Sequence, residues 1–202
     1  MQKNPTNARS ILENLIPYPN AKAEEVRQFI VEGIQPLLTT TPDSKIDKNG
    51  NLIARLGPNP SLDLRPFYVC SYAQDFGPGK QKSPYKSKIV DGTKHGQNGE
   101  SLWGRGNCEH RGALAAALAA FNQVAKTEDL LNRPLIFMVL ATGESGHHQV
   151  IEKAMKIGNM EMGDCIIARG TGNRICLGNK GSLHAHVEIR GKSYHPSNPK
   201  RA

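Results

Sequence analysis

The fold of this chain is decided by residues 101–121, SLWGRGNCEHRGALAAALAAF. A strand-like start runs into a turn with glycines at both ends, 104–106, which suits a backbone that needs a positive φ or a close approach. Asn107 is a favourable N-cap residue for the helix predicted over residues 108–124. Because this helix is rich in alanine and leucine, we expect it to be buried, with Glu109 held at its mouth.

Apolar strands and helices alternate after this stretch. Residues 135–141 are uniformly apolar and predict a central strand, which a helix over 146–157 and a strand over 164–168 follow. Uniformly apolar strands joined by helices are typical of a parallel sheet covered on both faces. We therefore predict an α/β fold over residues 1–178, with three layers, α/β/α, and a mainly parallel sheet.

The residues before the central stretch predict two helices, a hairpin and a strand. Helical spacing of apolar residues favours helices over 8–15 and 21–38, separated by two prolines. Residues 44–56 are typical of a hairpin, and residues 65–72 of a short apolar strand. The segment from there to residue 100, rich in Gly, Pro and Lys, is predicted to be a loop.

Residues 182–189 alternate between polar and apolar side chains, which predicts a strand with one wet face. We interpret residues 179–202 as the opening of a second, antiparallel unit that is truncated before it is complete. A strand with an unpaired edge and an exposed apolar face favours association. Self-association of the chain is therefore expected.

Composition limits the possible partners and the compartment. The net charge is +8, but the basic residues are scattered and no aromatic-basic stripe accompanies them, so no nucleic-acid partner is expected. The polar amino terminus has no signal-peptide core, and the longest apolar run is too short to span a bilayer. Four cysteines form no C-x-x-C pair, and Cys70 and Cys165 are predicted to be buried thiols. We expect a soluble, cytoplasmic protein with no membrane partner.

Carboxylates and imidazoles gather at the predicted strand ends. Glu109 follows the glycine turn, and Glu144, His147 and His148 follow the central strand. Sites in such sheets lie beyond the carboxyl ends of the strands, so these segments are expected to converge. The side chains are those of a metal-assisted hydrolase. They are equally compatible with exposed residues in the first turn of a helix.

Three segments resemble the amino-terminal part of a zinc-dependent exopeptidase and deacylase family. The family includes carboxypeptidase G, aminoacylase, acetylornithine deacetylase and succinyl-diaminopimelate desuccinylase. Residues 102–114 resemble its Leu-Tyr-Gly-Arg-Gly-x-x-Asp-x-Lys-Gly-x-Leu signature, and residues 83–92 its Asp-Pro-Phe…Asp-Gly approach to that signature. Residues 179–195 resemble the start of its ferredoxin-like lid, or dimerisation, domain.

The resemblance implies a metal-dependent hydrolase of amide bonds in N-acyl amino acids or small peptides, with a divalent metal, zinc, as cofactor. Glu144 falls on the family's general base and Glu109 on its metal-bridging aspartate. His195 falls on the lid histidine that steadies the oxyanion in a neighbouring subunit. A homodimer formed through the lid domain is therefore implied for a complete chain.

Several of the family's ligand positions are changed in this sequence. Its His-x-Asp motif falls on residues 72–74, the second glutamate of its Glu-Glu pair falls on Ser145, and its Glu-Pro-Thr segment begins at Arg169. Arginine cannot coordinate a metal and carries a permanent positive charge. Two interpretations stay open. The metal site has shifted to Glu109 and His148, with Asp75 or His110 as a further ligand, or the chain is a catalytically silent homologue that acts as a binding or dimerisation partner.

Overall fold

The computed structural model describes residues 7–38, 44–61, 63–74, 82–142, 163–178 and 185–191, together with residues 195 and 197. The chain divides into two compact units, Met1–Gly170 and Thr171–Ala202. All helices and strands of the described residues belong to the first unit.

The described part of the first unit contains three α-helices and seven strands. The helices are α1 (Ala8–Leu15), α2 (Ala23–Gln28) and α3 (Gly112–Val124). The strands are β1 (Ser44–Ile46), β2 (Leu52–Leu56), β3 (Phe67–Tyr72), β4 (Lys88–Asp91), β5 (Glu100–Trp103), β6 (Leu135–Leu140) and β7 (Asp164–Ile167). Short helical segments of other pitch are Phe29–Ile34 and Asn107–Arg111 (π) and Gln35–Leu37, Gly92–His95 and Ala125–Leu130 (3-10).

A five-stranded sheet in the order β1-β2-β6-β3-β7 forms the centre of this unit. The apolar strand β6 lies in the middle, and β3 and β7 run parallel to it in register, with Phe67 opposite both Leu135 and Asp164. The β1–β2 hairpin adds the antiparallel part, with Leu52 opposite Val139. The predicted α/β fold is confirmed, as a mixed sheet whose parallel part is β6-β3-β7.

Both faces of β6 are buried, as its uninterrupted apolar sequence predicts. Phe137 and Val139 face a large core that contains the apolar sides of the described helices. Ile136 and Met138 face a second cluster on the opposite side of the sheet. Leu118 on α3 is fully buried in the first core, at 0% exposure. The predicted third layer, with a helix over 146–157, lies outside the described residues.

The amino-terminal helices follow the predicted pattern with one change. Helix α1 spans Ala8–Leu15 as predicted, and the side chain of Asn7 caps it by accepting a hydrogen bond from the Ser10 amide at 2.9 Å. The second predicted helix begins at Ala23 and ends at Leu37. It consists of an α-helical, a π-helical and a 3-10 helical segment in succession. Pro36 within its last turn has no N–H to donate, which breaks the regular α pattern.

Two sequence-based expectations for the first unit are wrong. The segment predicted to be a loop contains strand β4, which pairs with β5, the strand-like start at Leu102 and Trp103, in a separate two-stranded sheet. Its strands are four residues long and mostly exposed, so they lack the apolar run that identified the other strands. Cys165 is exposed and not a buried thiol, because β7 is an outer strand of the described sheet; Cys70 is half-buried.

The second unit has no helix or strand among its described residues, 171–178, 185–191, 195 and 197. The predicted strand over 182–189 lies partly outside these residues, and its described part is exposed and forms no ladder with other described residues. The lid domain therefore stays a prediction. Within the described residues of the chain, no helix has the length and apolar character that a membrane crossing requires.

Candidate functional site

The carboxyl ends of β3 and β7 meet at one edge of the sheet, where the sequence predicts the site. Hydrogen bonds beyond the strands hold this edge together, since the amide of Ala168 donates to the carbonyl of Cys70 at 2.8 Å. Tyr72 ends β3, and Arg169 follows β7 by two residues. The loop after β6 is described only as far as Thr142. Of the four segments predicted to converge here, the structure therefore describes three: those after β3 and β7 and the glycine turn.

The glycine turn shapes the segment that carries Glu109. Gly106 has a φ of +78°, in the left-handed region that favours glycine. Its carbonyl accepts hydrogen bonds from the amides of Glu109, His110 and Arg111, at 3.2, 3.0 and 2.9 Å. A Cβ on Gly104 would lie 3.0 Å from the side chain of Asn107, which is a close approach. The predicted need for a positive φ is thus confirmed at Gly106, and the predicted close approach is confirmed at Gly104.

Asn107 does not cap the following helix, so that prediction is wrong. Its side-chain amide donates to the carbonyl of Leu102 at 2.9 Å, which ties the turn back to β5. The π-helical segment Asn107–Arg111 intervenes, and α3 begins only at Gly112. The extra residue of the wider turn places His110 and Arg111 toward the interior, while Glu109 stays exposed.

Glu109 lies at the surface beside the end of β7. Its side chain is 57% exposed, and its Oε2 atom is 3.9 Å from Nδ1 of His110. The carbonyl of Glu109 accepts a hydrogen bond from the amide of Gly170 at 3.2 Å. A Cβ on Gly170 would lie 1.9 Å from the carbonyl oxygen of Cys108, so only glycine fits there. This close backbone contact fixes the Glu109 turn against the segment that carries Arg169.

Arg169 packs on an aromatic ring at this edge. The carbon of its guanidinium lies 5.6 Å from the centroid of the Tyr72 ring, within the range of a cation–π contact. The Tyr72 ring in turn meets the ring of His110 edge-on, with 6.4 Å between centroids and 76° between planes. His110 is 2% exposed. Two positions at which the resemblance predicts metal ligands therefore hold a cation stacked on a phenol ring.

The remaining predicted site residues are not brought together with Glu109 in the described structure. Glu144 and His148, together with Asp75, Ser145 and His147, lie outside the described residues. His195 belongs to the second unit, where it is exposed and its Nδ1 atom is 2.8 Å from the hydroxyl oxygen of Ser197. The roles assigned to Glu144, His148 and His195 therefore stay predictions.

The described residues do not fit a zinc centre. Among them, no three His, Cys, Asp or Glu side chains lie close enough to hold a metal ion. The donors at the strand edge are the carboxylate of Glu109 and the imidazole of His110, and the guanidinium of Arg169 lies on the neighbouring ring. Zinc sites in proteins need three or four such donors, and an arginine side chain cannot be one of them. We therefore assign no reaction step to a metal.

Arg111 is a structural residue of this edge that the sequence reasoning missed. It is fully buried, and its guanidinium donates to the carbonyls of Leu15, Ile16 and Tyr18 at 2.6, 2.8 and 2.5 Å. It also donates to Oδ1 of Asn20 at 2.8 Å. The first two acceptors are at the carboxyl end of α1, where the helix dipole favours a cation. Because Arg111 follows Glu109 and His110, the sequence suggested a solvated helix start. The available signal for a structural role was that Arg111 falls on the lysine of the family signature.

Two curated proteins that this chain resembles in sequence are succinyl-diaminopimelate desuccinylases. The protein from Beijerinckia indica subsp. indica is 28% identical over 128 residues, which make up 59% of this chain and 31% of that protein. The protein from Wigglesworthia glossinidia brevipalpis is 30% identical over 121 residues, 55% of this chain and 30% of that protein. The chain thus spans about a third of the length of the curated relatives it matches. No protein-family model matches it.

A solved structure supports the same relationship at the level of the fold. The M20 family metallo-carboxypeptidase Sso-CP2 from Sulfolobus solfataricus aligns with a TM-score of 0.60 and 15% identity, over 80% of this chain and 37% of that one. The match confirms the α/β fold. Together with the desuccinylase matches, it confirms the resemblance stated from the sequence over the aligned part. Over that part, the chain is similar in sequence to the two desuccinylases and similar in fold to an M20 family metallo-carboxypeptidase.

Proposed function

We propose that this chain is part of a hydrolase that cleaves amide bonds in N-acyl amino acids or small peptides. The single observation that carries the proposal is the position of Glu109. It is the exposed carboxylate of the glycine turn, and the backbone contact with Gly170 fixes it at the carboxyl edge of the parallel strands. The similarity to succinyl-diaminopimelate desuccinylases, whose name describes the removal of a succinyl group from an amino acid, supports the substrate class.

Amide hydrolysis needs a base that takes a proton from water and an acid that returns it to the leaving amine. In our proposal Glu144 performs both transfers, in keeping with its match to the family's general base. His195 donates a hydrogen bond to the developing oxyanion from the lid of a second subunit in a homodimer. Glu109 and His148 hold a divalent cation, zinc, in the shifted form of the site. The described donors alone do not support this last role, so it needs a separate test.

The proposal is tested by measuring amine release. The 202-residue chain is incubated with N-succinyl amino acids and dipeptides, with and without added zinc, and the free amine is quantified. We expect release that falls by a factor of about 10² to 10⁴ in Glu144→Gln, the usual contribution of a general base. Glu13→Gln, a change on the exposed side of α1, is the matched control and should leave the rate unchanged. An unmodified chain that binds these compounds without releasing amine would overturn the hydrolase proposal.

A second candidate, a catalytically silent homologue that binds a small acid or a partner subunit, is favoured by one observation. Arg169 and Tyr72 occupy positions of the family's metal ligands and pack on each other. A guanidinium at such a site can pair with the carboxylate of an N-acyl amino acid. Calorimetric titration with N-succinyl amino acids distinguishes the candidates, because this one predicts binding that Arg169→Gln weakens, with no turnover in any condition.

A further inference from the structure

Two cysteines from neighbouring parallel strands lie in contact on one face of the sheet. Cys70 is on β3 and Cys165 on β7, and their sulfur atoms are 3.7 Å apart. In the strand register Cys165 is opposite Tyr68, and Cys70 is opposite Ile167. The two cysteines are thus diagonal neighbours whose side chains point to the same side. The contact follows from the register of the sheet and not from a chance approach of loops.

The two thiols differ in their surroundings. Cys165 is exposed on the outer strand of the described sheet, whereas Cys70 is half-buried against the cluster that contains Tyr68 and Met138. When Cys165 ionises, its thiolate accepts a hydrogen bond from Cys70. That bond lowers the pKa of Cys165 from 9.0 to about 7. The same contact, with burial, raises the pKa of Cys70. One thiol is thus suited to attack and the other to remain protonated beside it.

We propose that Cys70 and Cys165 form a redox modification site, at which hydroperoxides oxidise the two thiols to a disulfide between β3 and β7. This site is independent of the proposed hydrolase function. In the first step the sulfur of Cys165 attacks one peroxide oxygen, the O–O bond breaks, and hydroxide (or an alkoxide) leaves. In the second step the sulfur of Cys70 displaces water from the sulfenic acid of Cys165. Two thiols lose two electrons in total, and the peroxide gains them.

The geometry requires only a small movement for the second step. A disulfide has a sulfur–sulfur bond of about 2.0 Å, so the sulfurs must approach by somewhat less than 2 Å. Side-chain rotation on β7, which is paired on one side only in the described sheet, can supply this approach. The bond would close next to the candidate site, since Tyr72 is two residues beyond Cys70 and Arg169 four residues beyond Cys165.

The chain contains its own control thiols. Cys108 and Cys176 are also exposed, but neither forms a contact with another cysteine among the described residues. They belong to different units, with Cys108 in the glycine-turn segment and Cys176 in the second unit. Any oxidation that follows exposure alone would therefore affect Cys108 and Cys176 as much as Cys165.

Peptide mass spectrometry after peroxide treatment tests the proposal. The 202-residue chain is treated with hydrogen peroxide in the folded state, free thiols are blocked, and the digest is searched for linked peptides. We expect a Cys70–Cys165 linked peptide as the main product, reversed by a thiol reductant, with two of the four thiols remaining. Cys165→Ser should abolish the linkage, and Cys108→Ser should not. A chain that oxidises mainly at Cys108 or Cys176, or forms only disulfides between copies, would overturn the proposal.

Alkylation rates test the role of Cys70 without requiring the disulfide. At neutral pH the ionised fraction of a thiol with a pKa of about 7 is about fifty times that of a thiol with a pKa of 9.0. The thiolate of lower pKa is about ten times less nucleophilic, so a net gain in rate of about fivefold remains. Iodoacetamide should thus label Cys165 about five times faster in the unmodified chain than in Cys70→Ala, which removes the hydrogen-bond donor. Cys70→Ser keeps a donor and should keep the faster rate, and labelling of Cys108 in the same samples serves as the internal reference. Equal rates at Cys165 in the unmodified chain and in Cys70→Ala would contradict the proposed pair.

Discussion

The guanidinium of Arg169 lies over the ring of Tyr72, with 5.6 Å between its carbon and the ring centroid. Tyr72 ends β3 and Arg169 lies two residues beyond the adjacent parallel strand β7, so the pairing of the two strands brings them together. The resemblance stated from the sequence predicts metal ligands of the family at both positions, and neither side chain is a zinc ligand of the usual kind. The chemistry of this strand edge, in its described part, therefore differs from that of a metal centre.

Arg111 should be the most sensitive residue of this edge for stability. Arg111→Met removes the donor to three carbonyls and to Asn20, all in the interior, so we expect a loss of about 3 to 5 kcal/mol in the free energy of unfolding. Arg111→Lys keeps the charge but offers fewer donors, and about 1 to 2 kcal/mol should be lost. Urea denaturation measures both values.

Arg9→Ala provides the matched control for the Arg111 variants. Arg9 is 60% exposed and pairs with Glu13 one helical turn away on α1, an arrangement that contributes little. Its loss should change the free energy of unfolding by less than about 0.5 kcal/mol. If Arg111→Met were as harmless as Arg9→Ala, the inferred role of Arg111 in holding the glycine turn on α1 would be wrong.

The packing of α3 on the central strand gives a second stability prediction. Leu118 is fully buried between α3 and the sheet, so Leu118→Ala should cost about 2 to 5 kcal/mol through lost burial and a residual cavity. Leu130→Ala is the control, since Leu130 is 76% exposed and its truncation should stay within about 0.5 kcal/mol. Urea midpoints of the two variants that agree within error would contradict the assigned core.

Much of the fold could be predicted from the sequence because its strongest patterns are long and uniform. The apolar run of β6 predicted a central strand, and α1 begins and ends where its apolar spacing indicates. Strand β4 and its pairing with β5 could not be found in this way, although Leu102 and Trp103 indicated the end of β5. The two strands pair outside the main core, so Ile89 and Trp103 remain exposed and no long apolar pattern marks them.

The candidate site was less accessible to sequence reasoning, because its features depend on contacts between distant segments. Glu109 was identified from its turn, but the backbone bond to Gly170 depends on how β7 lies beside β3. The burial of Arg111 depends on carbonyls of α1 that are more than ninety positions away. Cys70 and Cys165 are 95 positions apart, and only the strand register brings their sulfurs together.

The thiol pair predicts a specific dependence of stability on pH. The pKa of Cys165 is lower in the folded chain than in the unfolded chain. Between about pH 7 and 9 the folded chain therefore binds one proton fewer than the unfolded chain, and stability should rise with pH over this interval. The stabilisation is complete above the ordinary pKa of 9.0 and is lost as the pH falls through about 7. The pKa of Cys70 is raised, so its effect has the opposite sign and stability should fall above pH 9.

Urea midpoints measured across this range test the prediction by difference. Other groups titrate as well, so the unmodified chain is compared with Cys165→Ser, which should lack the rise between about pH 7 and 9. Cys108→Ser is the control and should follow the unmodified chain. Curves for Cys165→Ser and the unmodified chain that run parallel throughout would show that the two thiols titrate independently.

Zinc titration of Arg169 variants distinguishes the two interpretations of the site, the shifted metal site and the catalytically silent homologue. The backbone bond between Gly170 and Glu109 holds residue 169 close to the glycine turn, so Arg169→Glu brings a second carboxylate to this edge. We expect Arg169→Glu to be less stable than the unmodified chain without metal, because a cation is replaced by an anion beside Glu109. Zinc should then restore stability by binding the folded state, by about 2.7 kcal/mol at a hundred times its dissociation constant.

The zinc titration needs two controls and has two decisive outcomes. All variants carry Cys165→Ser, so that the thiol pair does not bind the metal, and Arg169→Gln removes the cation without adding a ligand. Strong zinc binding by the chain with its arginine intact, abolished by His148→Ala and unaffected by Arg169→Gln, would establish a shifted metal site and end the silent-homologue interpretation. Binding that arises only in Arg169→Glu would mean that Arg169 occupies the place of the metal, because a fixed cation already neutralises the carboxylates that zinc would otherwise hold. The proposed hydrolase requires the first outcome, whereas the second would support the silent homologue, the candidate that the packing of Arg169 on Tyr72 favours.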